Sequence, residues 1–184
     1  MKILLIDNHS KHREELIGIL GESAAVETQE QLNDSDTDSY DLVVLSGGSN
    51  IPSLFYNPEA YVKEINLVQN TKTAILGICL GSEIITKALG GTLQDLGSIH
   101  RGNISITVTD EDLKNDLDNH SLQVYEAHEI GIKDMPPEFK ICAYSEHGPE
   151  IIKHQTKPII GVQFHPEVAP NEHLIKWLIK NLQL

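Results

Sequence analysis

The chain of 184 residues is poor in cysteine, in aromatic side chains and in positive charge. Its two cysteines exclude a framework of disulfide bonds as the basis of the fold. The 14 lysines and arginines are outnumbered by 27 aspartates and glutamates, which gives a formal net charge of −13. This acidity disfavours a nucleic acid or an anionic membrane surface as a partner, because both are bound through clustered cations.

Long hydrophobic runs and targeting segments are also missing. The apolar runs, such as residues 3–6 and 74–78, are far shorter than the ~20 residues that cross a bilayer. The short apolar run after Met1 is not followed by the small-residue cleavage site of a signal peptide. We therefore expect a cytoplasmic protein that forms a single domain over residues 1–184.

Short β-branched runs alternate with amphipathic stretches in the first half of the chain. Residues 3–6, 41–45 and 73–78 predict buried strands, and residues 56–69 and 82–89 have the apolar spacing of helices. Continuous apolar strands that alternate with helices are typical of a parallel sheet covered on both faces. We therefore predict an α/β fold with a mostly parallel central sheet.

The pattern changes after residue 91. The run 104–108 alternates between apolar and polar residues, which is typical of half-exposed antiparallel strands. Further strands are predicted at 124–128, 140–144 and 158–164, and a closing helix at 174–182. The second half therefore adds some antiparallel strands to the sheet.

One strand-to-helix turn carries a candidate nucleophile. Gly77 and Gly81 each lie two residues from Cys79, and this spacing is typical of a nucleophile elbow with sulfur in place of oxygen. The N-terminus of the following helix predicts a lowered thiol pKa and directs the Leu80 amide towards a developing oxyanion. A small buried cysteine in a glycine-containing turn is the alternative interpretation of this motif taken alone.

A second motif, His165-Pro166-Glu167, follows the last predicted strand. A nucleophilic thiol needs a base to remove its proton, and the base needs a partner that orients its second nitrogen. Cys79, His165 and Glu167 supply these three roles from two loops at the carboxyl edge of one sheet. The two motifs together therefore predict a catalytic triad.

Three motifs, in this order, resemble those of the class I (triad-type) glutamine amidotransferase domain: Ser46-Gly47-Gly48, GICLG at 77–81 and VQFHPEV at 162–168. The resemblance covers essentially the whole chain. It implies a flavodoxin-like three-layer sandwich. It also implies hydrolysis of glutamine to glutamate and ammonia through a thioester, with the ammonia passed to a partner synthase.

The resemblance also implies roles for individual residues. Cys79 would be the nucleophile, His165 the base and Glu167 the group that orients the base. Gly48 and Leu80 would supply the backbone amides of the oxyanion hole.

Ser46, Gly47, Glu83 and His128 are further candidates for binding the substrate. Glu83 departs from the family pattern, which has a glutamine at this place. A carboxylate there would repel the substrate carboxylate unless it were protonated or turned towards the substrate ammonium group. A similar glutamate occurs in γ-glutamyl hydrolases, which leaves a stand-alone cysteine hydrolase of γ-glutamyl amides as an alternative.

The stretch 127–139 is similar to the region that precedes the His-Pro-Glu motif in GMP synthases. This implies the separate glutaminase subunit of a two-subunit GMP synthase, whose ATP pyrophosphatase subunit converts XMP to GMP. ATP and Mg²⁺ are then expected in that partner, and no cofactor is expected in this chain. A non-catalytic regulatory module of the same fold is the remaining alternative.

The nine histidines do not predict a metal site. They are scattered along the chain, without an HExxH motif and without a cluster of Cys and His at ligand spacing.

Overall fold

The computed structural model describes residues 1–32, 37–115, 117 and 120–184. They form a nine-stranded mixed sheet in the order β2-β1-β3-β4-β9-β8-β7-β5-β6. The strands are β1 (Ile3–Asp7), β2 (Ala25–Thr28), β3 (Leu42–Leu45), β4 (Ala74–Ile78), β5 (Thr92–Val108), β6 (Ser121–Asp134), β7 (Phe139–Ser145), β8 (Gly148–His154) and β9 (Ile159–Val162). The helices are α1 (Arg13–Leu20), α2 (Val62–Asn70), α3 (Leu80–Ala88), α4 (Glu111–Asn115) and α5 (Glu172–Asn181), with 3₁₀ turns at Thr37–Ser39 and Pro58–Tyr61. None of these described helices has the length and apolar character needed to cross a membrane.

The sheet has a parallel half and an antiparallel half. Strands β2, β1, β3, β4 and β9 pair in parallel. Strands β9, β8, β7, β5 and β6 pair antiparallel. This confirms the α/β fold, with antiparallel strands in the second half. Strand β9 returns from the antiparallel half to lie beside β4, where Gly77 pairs with Gly161.

Two apolar cores lie on opposite faces of the sheet. Leu5 of β1 belongs to the core that contains Leu16 of α1 and Trp177 of α5. The next side chain along the strand, Leu4, belongs to the other core, with Ile84 of α3. Because side chains alternate across a strand, each parallel strand contributes to both cores and the sheet is covered by helices on both faces.

Two strands were missed by the sequence analysis. Strand β2 lies at the edge of the sheet, and all four of its residues are only partly buried, so it carries no continuous apolar run. Strand β8 lies inside the sheet, yet it buries the polar side chains of Glu150 and His154. Polar residues at interior positions break the apolar signal on which strand prediction depends.

Helix α3 lies very close to the sheet. A Cβ atom at Gly77 would lie 2.5 Å from the carbonyl carbon of Gly81, and one at Gly81 would overlap the carbonyl oxygen of Leu45. Both neighbours are backbone atoms, which cannot move aside as a flexible side chain can. The two glycines of the elbow are therefore needed for the helix to approach β3 and β4.

We expect Gly81→Ala to lower the free energy of unfolding by about 2 kcal/mol or more, because the added methyl group forces α3 away from Leu45. Gly18 of α1 is a matched control, since a Cβ there meets no atom within 4 Å. Gly18→Ala should instead raise the free energy of unfolding by about 0.5–1 kcal/mol. Urea unfolding measures both changes. An unchanged free energy of unfolding in Gly81→Ala would contradict the close approach of α3 to Leu45.

Candidate active site

Cys79 lies at the junction between β4 and α3, with φ 50° and ψ −105°. This positive φ is strained for a residue with a side chain. The Cys79 amide donates a hydrogen bond to the Val162 carbonyl of β9 at 2.8 Å, and the Cys79 carbonyl accepts from Glu83 of α3 at 3.1 Å. These backbone bonds hold the turn, so the thiol stands at the carboxyl edge of the sheet.

His165 and Glu167 follow β9 and are both buried. Their side chains are joined by a hydrogen bond of 2.8 Å between Nδ1 of His165 and Oε1 of Glu167. The backbone amide of His165 donates to the Tyr125 carbonyl of β6 at 2.8 Å, which fixes the loop. With its proton on Nδ1, the neutral imidazole has Nε2 free to act as a base.

The loop that follows β3 and contains Gly47 and Gly48 lies against the segments that carry Cys79 and His165. A Cβ atom at Gly47 would lie 2.9 Å from Cε1 of His165 and 3.6 Å from Cβ of Cys79. One at Gly48 would lie 2.5 Å from Cδ2 of Leu80. The loop therefore contacts the His165 ring and the turn of Cys79, and the structure brings the predicted nucleophile, base and orienting acid together.

A cavity of about 360 Å³ opens on these groups. This volume lies in the range of small-molecule sites. Several residues predicted from the sequence line it: Cys79, His165, Gly48, Leu80, Glu83 and His128.

Ser46 and Gly47, two of the residues predicted to bind the substrate, contact other parts of the protein and not the cavity. Ser46 is 1% exposed, and its hydroxyl accepts from the Asn8 amide at 2.8 Å and donates to the Gly47 carbonyl at 2.8 Å. Neither Ser46 nor Gly47 is among the described residues that line the cavity. The Ser46 side chain joins the ends of β1 and β3, and Gly47 gives room to the His165 ring.

Burial raises the pKa of the Cys79 thiol well above its ordinary value, and the nearby Glu83 carboxylate adds to the rise. A hydrogen bond from the Leu80 backbone opposes this shift without overcoming it. The prediction of a lowered thiol pKa from the helix N-terminus is therefore wrong. Removal of a side chain from water outweighs the helix end here, so the thiol needs a base to become a nucleophile.

Glu83 is 5% exposed and lies in the wall of the cavity. Burial raises its pKa to about 7, although Nε2 of Gln163 donates a hydrogen bond to Oε1 at 3.3 Å. The Glu83 carboxyl therefore keeps its proton to a higher pH than an exposed glutamate does.

Lys11, Arg101 and Glu129 also line the cavity, and the sequence analysis assigned none of them a role. They come from three separate segments, so only the fold brings them to one place. The proximity of a basic and an acidic side chain to one cavity suits a zwitterionic ligand.

The sequence profile of the family Glutamine amidotransferase class-I matches residues 4–183. One of the subunits of the glutamine-hydrolyzing GMP synthase of Pyrococcus abyssi is 39% identical over 132 residues, which cover 71% of this chain and 68% of that protein. The corresponding protein of Thermococcus kodakarensis is 45% identical over 103 residues, covering 54% of this chain and 53% of that protein. The corresponding protein of Methanocaldococcus jannaschii is 37% identical over 135 residues, which cover 71% of this chain and 66% of that protein.

Two solved structures share the fold. A protein of Thermoplasma acidophilum, described as one of the subunits of a GMP synthase, superposes with a TM-score of 0.83 at 24% identity, over 100% of this chain and 94% of that one. A glutamine amidotransferase of Thermotoga maritima superposes with a TM-score of 0.71 at 20% identity, over 100% and 84%. At 24% and 20% identity, these superpositions show a shared fold only.

The raised pKa of Glu83 makes the stability of the protein depend on pH. The folded state holds this proton more tightly than the unfolded state, so wild-type stability falls as pH rises from about 4.5 to 7. Glu83→Gln removes this dependence and keeps an oxygen for the Gln163 amide. We expect the variant to gain up to about 3 kcal/mol relative to the wild type across this range.

Urea unfolding of both proteins at several pH values measures the difference. Other titrating groups are shared by the two proteins and cancel in it. A difference that does not change with pH would show that folding does not raise the pKa of Glu83.

Proposed function

The chain belongs to the class I glutamine amidotransferase family, and on this basis we propose that it hydrolyses glutamine to glutamate and ammonia through Cys79, His165 and Glu167. The observation that carries the proposal is the position of Cys79, on a strained elbow beside a hydrogen-bonded His–Glu pair at one cavity. This is the arrangement of an activated nucleophile, its base and the group that orients the base.

In the first half of the reaction, Nε2 of His165 takes the proton of the Cys79 thiol and the sulfur attacks the amide carbon of glutamine. Because the thiol pKa is raised, the proton leaves as the carbon–sulfur bond forms. The backbone amides of Gly48 and Leu80 stabilise the oxyanion. The His165 imidazolium, stabilised by Glu167, then protonates the leaving ammonia, and a thioester remains.

In the second half, His165 takes a proton from water and the resulting hydroxide attacks the thioester. The carbon–sulfur bond breaks, the proton returns to the sulfur of Cys79, and glutamate leaves. The triad is restored without a net change in protons at the site.

We propose that the charged residues of the cavity recognise the two charges of the amino-acid end of the substrate. Lys11 and Arg101 are available to its carboxylate, and Glu83 and Glu129 to its ammonium group. Because burial raises the pKa of Glu83, its carboxyl group can take up a proton if it faces the substrate carboxylate, whereas an ionised Glu83 would pair with the ammonium group. His128 completes the wall on the β6 side.

The relatives that are named as parts of GMP synthase support a particular partner. We propose that this chain delivers ammonia to the ATP pyrophosphatase subunit of GMP synthase, which converts XMP to GMP and holds the ATP and Mg²⁺. The aligned stretches cover between 53% and 68% of the length of these relatives.

One observation favours a second candidate function. Glu83 occupies a buried position in the cavity wall close enough to Cys79 to raise its pKa. A carboxyl group there would also suit a stand-alone hydrolase of other γ-glutamyl amides.

We expect the purified wild-type chain to release glutamate from glutamine, and to do so faster with XMP, ATP and the ATP pyrophosphatase subunit of a GMP synthase. Cys79→Ala should release none, because no other group forms the thioester. An enzyme-coupled glutamate assay measures both proteins with and without the partner, and with γ-glutamyl amides in place of glutamine.

Cys79-dependent turnover of γ-glutamyl amides alone, with no response to the partner, would support the second candidate instead. Absence of Cys79-dependent turnover under every condition would contradict both hydrolytic functions and favour a non-catalytic module.

We expect Glu167→Gln to lower kcat for glutamine by about 10²–10⁴-fold, because the amide no longer holds the Nδ1 proton and stabilises the imidazolium less. Glu172→Gln is the matched control, since Glu172 begins α5 and its exposed side chain pairs with the exposed Lys176. It should leave kcat within about twofold of wild type. A kcat of Glu167→Gln within about twofold of wild type would show that the His165–Glu167 bond does not assist the reaction.

A further inference from the structure

A cluster of histidine and glutamate side chains lies on β6 and β8, behind the wall of the cavity. Glu126, His128 and Glu150 each offer one ligand atom, and these atoms lie within 4.8 Å of one another. All three residues are at least nine-tenths buried, with exposures of 2%, 5% and 1%. From this arrangement we propose that Glu126, His128 and Glu150 bind a divalent transition-metal ion of the zinc class.

The first support is the orientation of His128. Its Nδ1 lies 3.0 Å from the Ile130 carbonyl and donates a hydrogen bond to it, which leaves Nε2 of the neutral ring as a lone-pair acceptor. Nε2 is 3.3 Å from Oε2 of Glu126 but forms no hydrogen bond with any described residue. Two acceptors that face one another repel unless a proton or a metal ion lies between them, and a backbone carbonyl on the other nitrogen is the usual partner of a metal-bound histidine.

The second support is the unpartnered oxygen of Glu150. Its Oε1 accepts a hydrogen bond from the Ser145 hydroxyl at 2.7 Å, whereas the buried Oε2 has no partner among the described residues. A buried polar atom without a partner is costly, and a bound ion removes that cost.

The third support is the distance between the ligand atoms. Ligands bound ~2.0–2.1 Å from a tetrahedral zinc ion lie about 3.4 Å apart, close to the 3.3 Å between His128 and Glu126. His147, in the turn between β7 and β8, contacts Oε2 of Glu126 through Nδ1 at 3.0 Å. Hydrogen bonds of this kind hold metal-bound carboxylates in place.

The site also adjoins the cavity. His128 is one of the residues that line the cavity of about 360 Å³. Three protein ligands of nitrogen and oxygen type suit Zn²⁺ and leave a coordination position for water.

These three residues lie close together although they follow no ligand spacing along the chain. Glu126 and His128 are two residues apart on β6, which places both side chains on one face of the strand, and Glu150 comes from β8. Gly131 lets the turn of His147 come near β6, since a Cβ there would lie 3.2 Å from the His147 carbonyl oxygen.

The test uses the full chain, stripped of metal with a chelator and then titrated with Zn²⁺. Cys79→Ala serves as the background, because the catalytic thiol and His165 could bind zinc by themselves. We expect one Zn²⁺ per chain by elemental analysis, and a Tm that rises with zinc concentration. Glu150→Gln in this background should weaken zinc binding at least tenfold, as judged by competition with a fluorescent chelator.

Glu138→Gln is the matched control, because Glu138 also pairs with a histidine, at 3.1 Å from His154, but lies outside the cluster. It should leave zinc affinity unchanged. Zinc binding that disappears in Cys79→Ala, or that persists in Glu150→Gln, would overturn the proposal.

Co²⁺ gives a second measurement if Glu150→Gln does not fold. In the Cys79→Ala chain, visible absorption bands of Co²⁺ with nitrogen and oxygen ligands, without a thiolate charge-transfer band, are the expected result. The absence of any such band would count against the site. Neither measurement uses glutamine, so their failure is separate from a failure of the glutaminase proposal.

Discussion

The close approach of α3 to β3 and β4 is the constraint on which the rest of the structure depends. The packing leaves no room for a Cβ atom at residues 77 and 81, and Cys79 between them has a strained backbone conformation. Because β9 is the neighbour of β4, the loop that carries His165 and Glu167 begins beside the same turn. One packing contact and one strand order therefore place the nucleophile next to its base.

Burial decides the electrostatics of this end of the molecule. It raises the pKa of the Cys79 thiol and the pKa values of the Glu83 and Glu150 carboxyl groups. The whole chain is also strongly acidic. A low-dielectric site of this kind cannot hold several negative charges without partners. A thiol in such a site needs a base for its activation, which is the role we propose for His165, and the buried acids beside the cavity are stabilised by a proton, an ammonium group or a metal ion.

Much of the architecture was predictable because its signals are local. The buried parallel strands are continuous apolar runs, and the elbow and the His-Pro-Glu segment are short motifs whose residues act on their own neighbours. Strand β8 was not predictable from such signals, since it buries Glu150 and His154 in the middle of the sheet. The prediction of a lowered thiol pKa was wrong for a related reason. The pKa is raised by burial, and burial depends on residues far away in the chain.

The sequence by itself predicted most of the strand-and-helix order, the elbow at Cys79 and the candidate triad, because each is encoded by residues within one or two short segments. Only the tertiary structure decided which side chains share a cavity and which are removed from water. Glu83 becomes a buried acid, and Glu126, His128 and Glu150 become neighbours, through the pairing and folding of distant strands. Such proximity has no signature along the chain, because the contacts that create it join residues far apart in sequence.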